Sequence, residues 1–442
     1  MHFFRALLFF LVTLLATPSA FSEPVQSITK PPVLRDFLGL NTHTVQFKPE
    51  RYDGLVEKLR DYHPVHWDLE DDTALLPPFP LAKNRVDWQK VYGSWNAAGY
   101  DPHVCLIFTR MPAKAWDDLE RDVETYGRYV AQVFGPNGKY PLISSVGVGN
   151  EPGQFTDDEY QRLFVAMASG LRSADPDLLI TTCATQTGPS DKYSKNIELF
   201  KDHPELYDVI TIHTYAQAEG WPTWKRSFPE DPSIEYLTRL RDLLAWRDAH
   251  APGKAVWVCE YGWDASTKQP EPSGTFAKWQ DVSDLQQAQY LVRSAMVFMR
   301  EGVDRAYIYF FDDKDEPKVH AAAGLMRNGK PKMSWFAVRH LQQTLGDYRF
   351  HETLSKEPHG VYAYAFQHAE DPTQEIVVAW MATGSGKERS VKIEVGKRKI
   401  TAAELMPTSE APAESVAFKQ AGEHLRLKLG ESPVFLRCEP NP

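Results

Sequence analysis

From about residue 36 to 347 one pattern recurs, in which a short, continuously apolar run is followed by a longer amphipathic stretch. The runs are "DFLGLNTH", "PVHWDLEDD", "HVCLIFTR", "LISSVGVGNEP", "LLITTCAT", "VITIHTY", "AVWVCEYGW" and "RAYIYFFDD". Helical patterns are expected between them over 50–62, 86–99, 114–134, 157–173, 194–202, 234–250 and 284–301, with "PKMSWFAVRHLQQTLG" as the closing helix. Apolarity without alternation marks strands buried on both faces, hence a parallel sheet covered by helices. Eight such units match a closed (β/α)8 TIM barrel. An open, doubly wound sheet obeys the same alternation and is the competing layout.

From about residue 350 the rhythm changes to short, often alternating runs such as "GVYAYAF", "EIVVAWM", "RSVKIEV" and "HLRLKL", separated by Gly, Pro or charged turns. The expected division is an α/β barrel over 23–347 and an all-β sandwich over 348–442. The sandwich is expected to cover barrel helices rather than to act as an independent binding module.

Residues 1–22 place Arg5 before an apolar stretch and end in small residues, Ala20 and Ser22. This predicts a signal peptide cut after Ser22 and a secreted or periplasmic protein, with an uncleaved anchor as the alternative. No later segment is expected to meet a membrane. With 49 Lys and Arg against 59 Asp and Glu, the formal charge is -10. Without basic clusters, such a chain is a poor binder of nucleic acid. Cys105, Cys183, Cys259 and Cys438 are too scattered for a zinc site. Buried thiols are expected, although export would permit one disulfide. Walker, dinucleotide, HExxH and nucleophile-elbow motifs are missing, so neither cofactor nor metal is expected. Nothing in the sequence fixes an oligomeric state.

A TIM barrel places its chemistry at the C-terminal ends of its strands. The polar tails there are Asn41 and His43, Asp68 and Glu70, Asn150 and Glu151, His213 and Tyr215, Glu260, and Asp312. His103, at a strand start, is read as structural. Glu151 closes strand 4 and Glu260 closes strand 7, and strand ends three positions apart face each other across a barrel mouth. Two carboxylates that flank one bond can cleave a glycoside, one as acid and base, the other as nucleophile.

The segments "GNEP", "HTY" and "CEYGW" in that order resemble the retaining glycoside hydrolases of clan A, with family 39 and family 5 as the nearest likenesses. The resemblance implies that Glu151 is the general acid/base and Glu260 the nucleophile. It implies further that Asn150 donates to the sugar 2-hydroxyl, that Tyr215 hydrogen-bonds the nucleophile and that His213 lines the neighbouring subsite. Glu151 must then hold a proton at rest while Glu260 stays ionised. Two positions depart from the pattern. Phe310 and Phe311 stand where family 5 relatives usually carry a Trp, and "PVHWDLEDD" lacks the Arg expected near strand 2.

Sugar rings present apolar C–H faces, for which aromatic planes are natural platforms. Trp263, three residues past Glu260, and Trp221 are the expected ones, while Trp224 and Trp279 are expected to pack within their loops. "DDKDEP" lacks the spacing of a calcium loop and is read as solvated. The expected activity is hydrolysis of an oligo- or polysaccharide by a β-glycosidase. A transglycosylase on the same residues and a catalytically silent carbohydrate-binding barrel are the alternatives.

Overall fold

The computed structural model describes residues 30–42, 49–69, 72–355 and 360–440. The expected leader, His43 and Glu70 lie outside the described residues.

Eight strands form the central sheet: β1 (Leu38–Asn41), β2 (Lys58–Pro64), β3 (Asp101–Ile107), β4 (Ser145–Val148), β5 (Leu179–Gln186), β6 (Val209–His213), β7 (Ala255–Tyr261) and β8 (Arg305–Ile308). Each pairs in parallel with the next, and β8 returns to β1. The sheet is therefore a closed barrel, since an open sheet would leave two strands with unpaired edges. Gly39 is required in β1 because a Cβ there would lie 2.4 Å from the Tyr307 ring that fills the lumen.

The outer helices start where the sequence supplies caps. The Asp87 side chain accepts from Lys90 N ahead of α1 (Trp88–Ala97), and Asp118 accepts from Arg121 N ahead of α2 (Leu119–Phe134). Reciprocal capping boxes, Thr156 with Glu159 and Ser283 with Gln286, open α3 (Asp157–Ala174) and, beyond α4 (Tyr236–His250), α5 (Asp284–Glu301). Gly302, at φ 86°, supplies the left-handed cap that ends α5. The barrel closes with α6 (Met333–Leu345). Among the described residues no helix is long and apolar enough to cross a membrane.

Three expectations are corrected. The stretch 50–62 is not a helix: it holds most of one 3-10 turn, Pro49–Tyr52, and then the first five of the seven residues of β2. "PVHWDLEDD" is not the second strand, because Val65–Leu69 is a short helix that follows it. Residues 194–202 form a 3-10 turn, Ile197–Phe200, in place of an α-helix. The physical reason is shared by the first two. Lys58, Arg60 and Tyr62 alternate with Leu59, Asp61 and His63, and a strand, not a helix, sends such a set to opposite faces.

After α6 the chain forms β9 (Tyr348–Thr353), β10 (Val361–His368), β11 (Glu375–Met381), β12 (Arg389–Glu394), β13 (Ile400–Leu405), β14 (Phe418–Ala421), β15 (His424–Leu429) and β16 (Val434–Cys438). They build a five-stranded sheet, β9-β10-β11-β16-β13, facing a three-stranded sheet, β12-β15-β14. In β11 the residues Val377, Ala379 and Met381 enter the sandwich core, while Ile376, Val378 and Trp380 join the core shared with the barrel. Both faces of β11 are thus buried, and one layer of the sandwich covers barrel helices, as expected. Across this contact Arg293 of α5 is fully buried between Glu230 and Glu431, and Trp380 Nε1 donates to Glu230. All four cysteines are free thiols, and Cys105, Cys183 and Cys259 are buried.

Candidate active site

Strand β4 ends at Val148, and Gly149 turns the chain at φ 91°, a left-handed conformation that glycine adopts without penalty. That turn delivers Asn150 and Glu151 to the barrel mouth. Glu260 reaches the same point from the end of β7, and His213 from the end of β6. One carboxylate oxygen of each glutamate and a ring nitrogen of His213 all lie within 4.8 Å of one another. His213 Nδ1 stands between the two acids, 3.0 Å from Glu151 Oε1 and 3.6 Å from Glu260 Oε2.

Glu260 is only 4% exposed and is held on both oxygens. Its Oε1 accepts from the Tyr62 hydroxyl at 2.6 Å and from Arg60 Nη1 at 3.1 Å, and its Oε2 accepts from the Tyr215 hydroxyl at 2.8 Å. Burial by itself would favour the neutral acid. The His213 and Arg60 charges and the two tyrosine hydroxyls reverse that preference and hold the carboxyl down to about 2. Glu260 is therefore an ionised carboxylate in a nearly dry site.

Arg60 organises more than the nucleophile candidate. Its Nη1 also donates to Asn41 Oδ1 at 2.8 Å, and its Nη2 donates to Asn150 Oδ1 at 2.7 Å. A guanidinium can only donate, so Asn150 must turn its oxygen inward and its amide N–H groups toward the open mouth. Asn41 is fixed in turn by donating to the carbonyls of Cys259 and Ile308.

Beside these groups is a cavity of about 630 Å3, lined by Tyr62, Phe108, Asn150, Glu151, Glu260, Tyr309 and His320 and flanked by Lys192 and Tyr193 from the loop after β5. Burial and the nearby Arg226 charge push the His320 imidazole down to about 4, so it is neutral at ordinary pH. The residue types of Glu151, His213 and Glu260 would suit a cation. Both oxygens of Glu260 already accept hydrogen bonds, however, and the Arg60 cation opposes a second positive charge there.

The structure thus brings together Glu151, Glu260, Asn150, His213 and Tyr215. It does not bring Trp263 to them. That ring is fully buried, packs against Tyr236 and Tyr290, and donates from Nε1 to the Ser227 carbonyl at 2.7 Å, so it has no face left for a sugar. Trp221 is 70% exposed in the loop after β6 and is not part of the cavity lining. Trp279 is buried and donates to Asp281 at 2.6 Å, as a loop-packing residue should.

Asp68 is also away from the mouth. It is buried between the end of β2 and helices α1 and α2, bonded by His63 at 2.5 Å, Trp88 Nε1 at 2.8 Å and Tyr126 at 2.6 Å. Asp312 pairs with Arg51 at 2.8 Å, where it does not reach the cavity. The "DDKDEP" loop is not solvated as expected: Asp313 pairs with Lys332 at 3.1 Å, and Asp315 accepts from Ser266 and Thr267 and lies 3.3 Å from Arg327. His103 is buried at the opposite end of its strand, against Trp257 and Tyr307, in the structural role expected for it.

Both departures from the clan pattern change meaning. The arginine near strand 2 is present as Arg60, once β2 is placed at Lys58–Pro64. The aromatic side chain that lines the cavity from the end of β8 is Tyr309, while Phe311 packs on Tyr52 and under Arg51. Arg60, Tyr62, Tyr309 and His320 are the residues that sequence reasoning missed. For the first two, the signal was the period-two alternation of "KLRDYHP" ended by Pro64.

No protein-family model and no curated protein matches the sequence. Among solved structures the chain is similar to a family 39 glycoside hydrolase from the gut symbiont Bacteroides cellulosilyticus WH2, with a TM-score of 0.68 and 16% identity over 92% of this chain and 81% of that one. It is similar also to a glucosidase from Croceicoccus marinus, with a TM-score of 0.63 and 14% identity over 93% and 97%. A third is the catalytic domain of the family 30 xylanase C from Talaromyces cellulolyticus, with a TM-score of 0.58 and 14% identity over 93% and 98%. The chain thus shares the fold of the clan A glycoside hydrolases.

Proposed function

We propose that this protein is a retaining β-glycosidase that hydrolyses O-glycosidic bonds in an oligo- or polysaccharide by double displacement. The observation that carries the reading is the pair of carboxylates, Glu151 and Glu260, with oxygens within 4.8 Å of each other. A separation of about 5 Å suits direct attack by one carboxylate, whereas inverting enzymes need roughly 6.5–9.5 Å to admit a water between acid and base.

In the first step Glu260 attacks the anomeric carbon while Glu151 gives its proton to the departing oxygen, and a covalent glycosyl-enzyme forms. In the second step Glu151 takes a proton from water, which attacks the same carbon and releases Glu260. The residue roles follow from the contacts. Tyr62, Tyr215 and Arg60 keep Glu260 ionised and aimed. The amide of Asn150, turned outward by Arg60, donates to the 2-hydroxyl as positive charge develops. His213 lies between the acids and fixes Glu151. Water is the sole co-substrate, and the N-terminal leader would deliver the enzyme outside the cytoplasm.

A purely carbohydrate-binding barrel would have no use for an ionised, nearly dry carboxylate opposite a second acid. The test is turnover on a panel of polysaccharides and aryl glycosides. Glu260→Ala and Glu151→Gln are expected to fold and to lose about 10^3-fold or more in kcat. Wild-type turnover by either variant overturns the assignment.

A further inference from the structure

Tyr215 is not on a strand. Strand β6 ends at His213, so the hydroxyl that holds Glu260 Oε2 is carried by the loop that follows, and something must keep its ring in place. Arg226 comes back along the same loop to do so. Its guanidinium carbon lies 4.5 Å from the centre of the Tyr215 ring, and the side chain is almost fully buried. The same guanidinium donates from Nη1 to the Gly262 carbonyl at 2.7 Å, two residues beyond Glu260. One side chain therefore touches both the ring that carries the hydrogen-bond donor and the backbone that carries its acceptor.

The nearest carboxylate shares the guanidinium without directing its hydrogen bond: Asp264 Oδ2 pairs with Nη1 at 3.2 Å, while the hydrogen bond from Nη1 goes to Gly262. The loop is braced from behind: Ser227 N donates to Ala216 O, Trp263 Nε1 donates to Ser227 O, and Glu230 is gripped by Arg293 and by Trp380 of the sandwich. His320 packs on Tyr215 as well, with ring centres 4.8 Å apart.

We infer that Arg226 is a positioning residue that acts on the nucleophile through Tyr215, holding the phenol in bonding geometry with Glu260. The inference rests on the hydrolase reading for its kinetic consequence but not for its structural one. A cation over an aromatic face in a desolvated site is a substantial interaction, and a donor fixed before the reaction needs no reorganisation during it.

The test is a double-mutant cycle with Tyr215→Phe, read by kcat and KM on the best glycoside and by crystal structures of the variants. Arg226→Lys keeps the charge beside Asp264 and so should fold, but lysine cannot both lie flat over the ring and bond Gly262. In the native background it should lower kcat about fivefold with KM changed less than twofold, and Arg226→Met about tenfold. In the Tyr215→Phe background both substitutions should change kcat less than twofold. The same fold-loss in both backgrounds, or a rise in KM with kcat unchanged, overturns the inference. So does a structure of Arg226→Lys in which Tyr215 keeps its bond to Glu260, whether or not the chain hydrolyses any glycoside. Turnover missing from the unaltered chain would instead count against the hydrolase reading, and the structures would still decide the role of Arg226.

Discussion

Arg60 and Glu260 form an ion pair at 3.1 Å with side chains only 2% and 6% exposed. A pair this dry survives because each partner is further satisfied, Arg60 by Asn41 and Asn150 and Glu260 by two tyrosines. Removing one charge strands the other. Arg60→Met should therefore cost about 3–5 kcal/mol in chemical denaturation. The double variant Arg60→Met/Glu260→Gln should be the more stable of the two, because no buried charge is left alone. A double variant less stable than Arg60→Met would show that the pair is not what holds this end of the barrel.

The His213 and Arg60 charges, together with the two tyrosine hydroxyls, set the acid side of the pH profile. Glu260 is held down to about 2, below the ordinary glutamate value of 4.5, so its ionised form persists as pH falls between those values. The associated stability is present above about pH 4.5 and is lost as pH drops toward 2. Tyr62→Phe and Tyr215→Phe each remove one donor and should move the acid limb of kcat/KM to higher pH. Each should also lower kcat about tenfold or more, as the loss of one donor to a reacting oxygen does. An acid limb unmoved in both variants would contradict this account of Glu260.

Asp61 has the opposite sign. It lies on the face of β2 turned from the lumen, fully buried, and burial pushes its carboxyl up to about 8 against the smaller opposing pull of Thr42, the Tyr62 backbone and the Arg60 charge. Its folded-state value lies above its unfolded one, so its contribution is fully present below about pH 3.8 and is lost as pH rises toward 8. Asp61→Asn should thus stabilise the protein by about 2 kcal/mol at pH 7–8 and by little at pH 4. The comparison of thermal melts at the two pH values checks it.

The two tryptophans first expected to bind sugar should separate cleanly. Trp263→Ala empties a fully buried site and frees the Ser227 carbonyl, at a cost of about 3–5 kcal/mol. Trp221→Ala removes a ring that is 70% exposed and should leave stability within about 0.5 kcal/mol and turnover of small aryl glycosides unchanged. Thermal melts and initial rates on the two variants read both statements.

The barrel, the sandwich and five of the residues gathered at the barrel mouth were legible because apolar strands ending in polar groups leave a plain trace. Glu151 and Glu260 each end a run of residues too apolar for a surface, so their charge stands out. Arg60 and Tyr62 were hidden for the converse reason. The lumen side of β2 is polar, Lys58, Arg60 and Tyr62, and a strand with a charged inner face imitates the outer face of an amphipathic helix. Trp263 misled because its distance along the chain from Glu260 is short. The chain leaves β7 at Tyr261, and two residues later the side chain is packed among Tyr236 and Tyr290, away from the mouth. His320 had no strand to announce it. It comes from the loop after β8, lines the cavity and packs on Tyr215 and Tyr309.

The central claim is that Glu260 becomes covalently bonded to the sugar. Incubation with a 2-deoxy-2-fluoro glycoside of whichever sugar the substrate panel identifies, followed by peptide mass spectrometry, tests it most directly. The account predicts one added glycosyl unit on the peptide bearing Glu260, formed in the native chain and missing from Glu260→Ala. A glycosyl unit on a different residue, or products of inverted anomeric configuration, would contradict it.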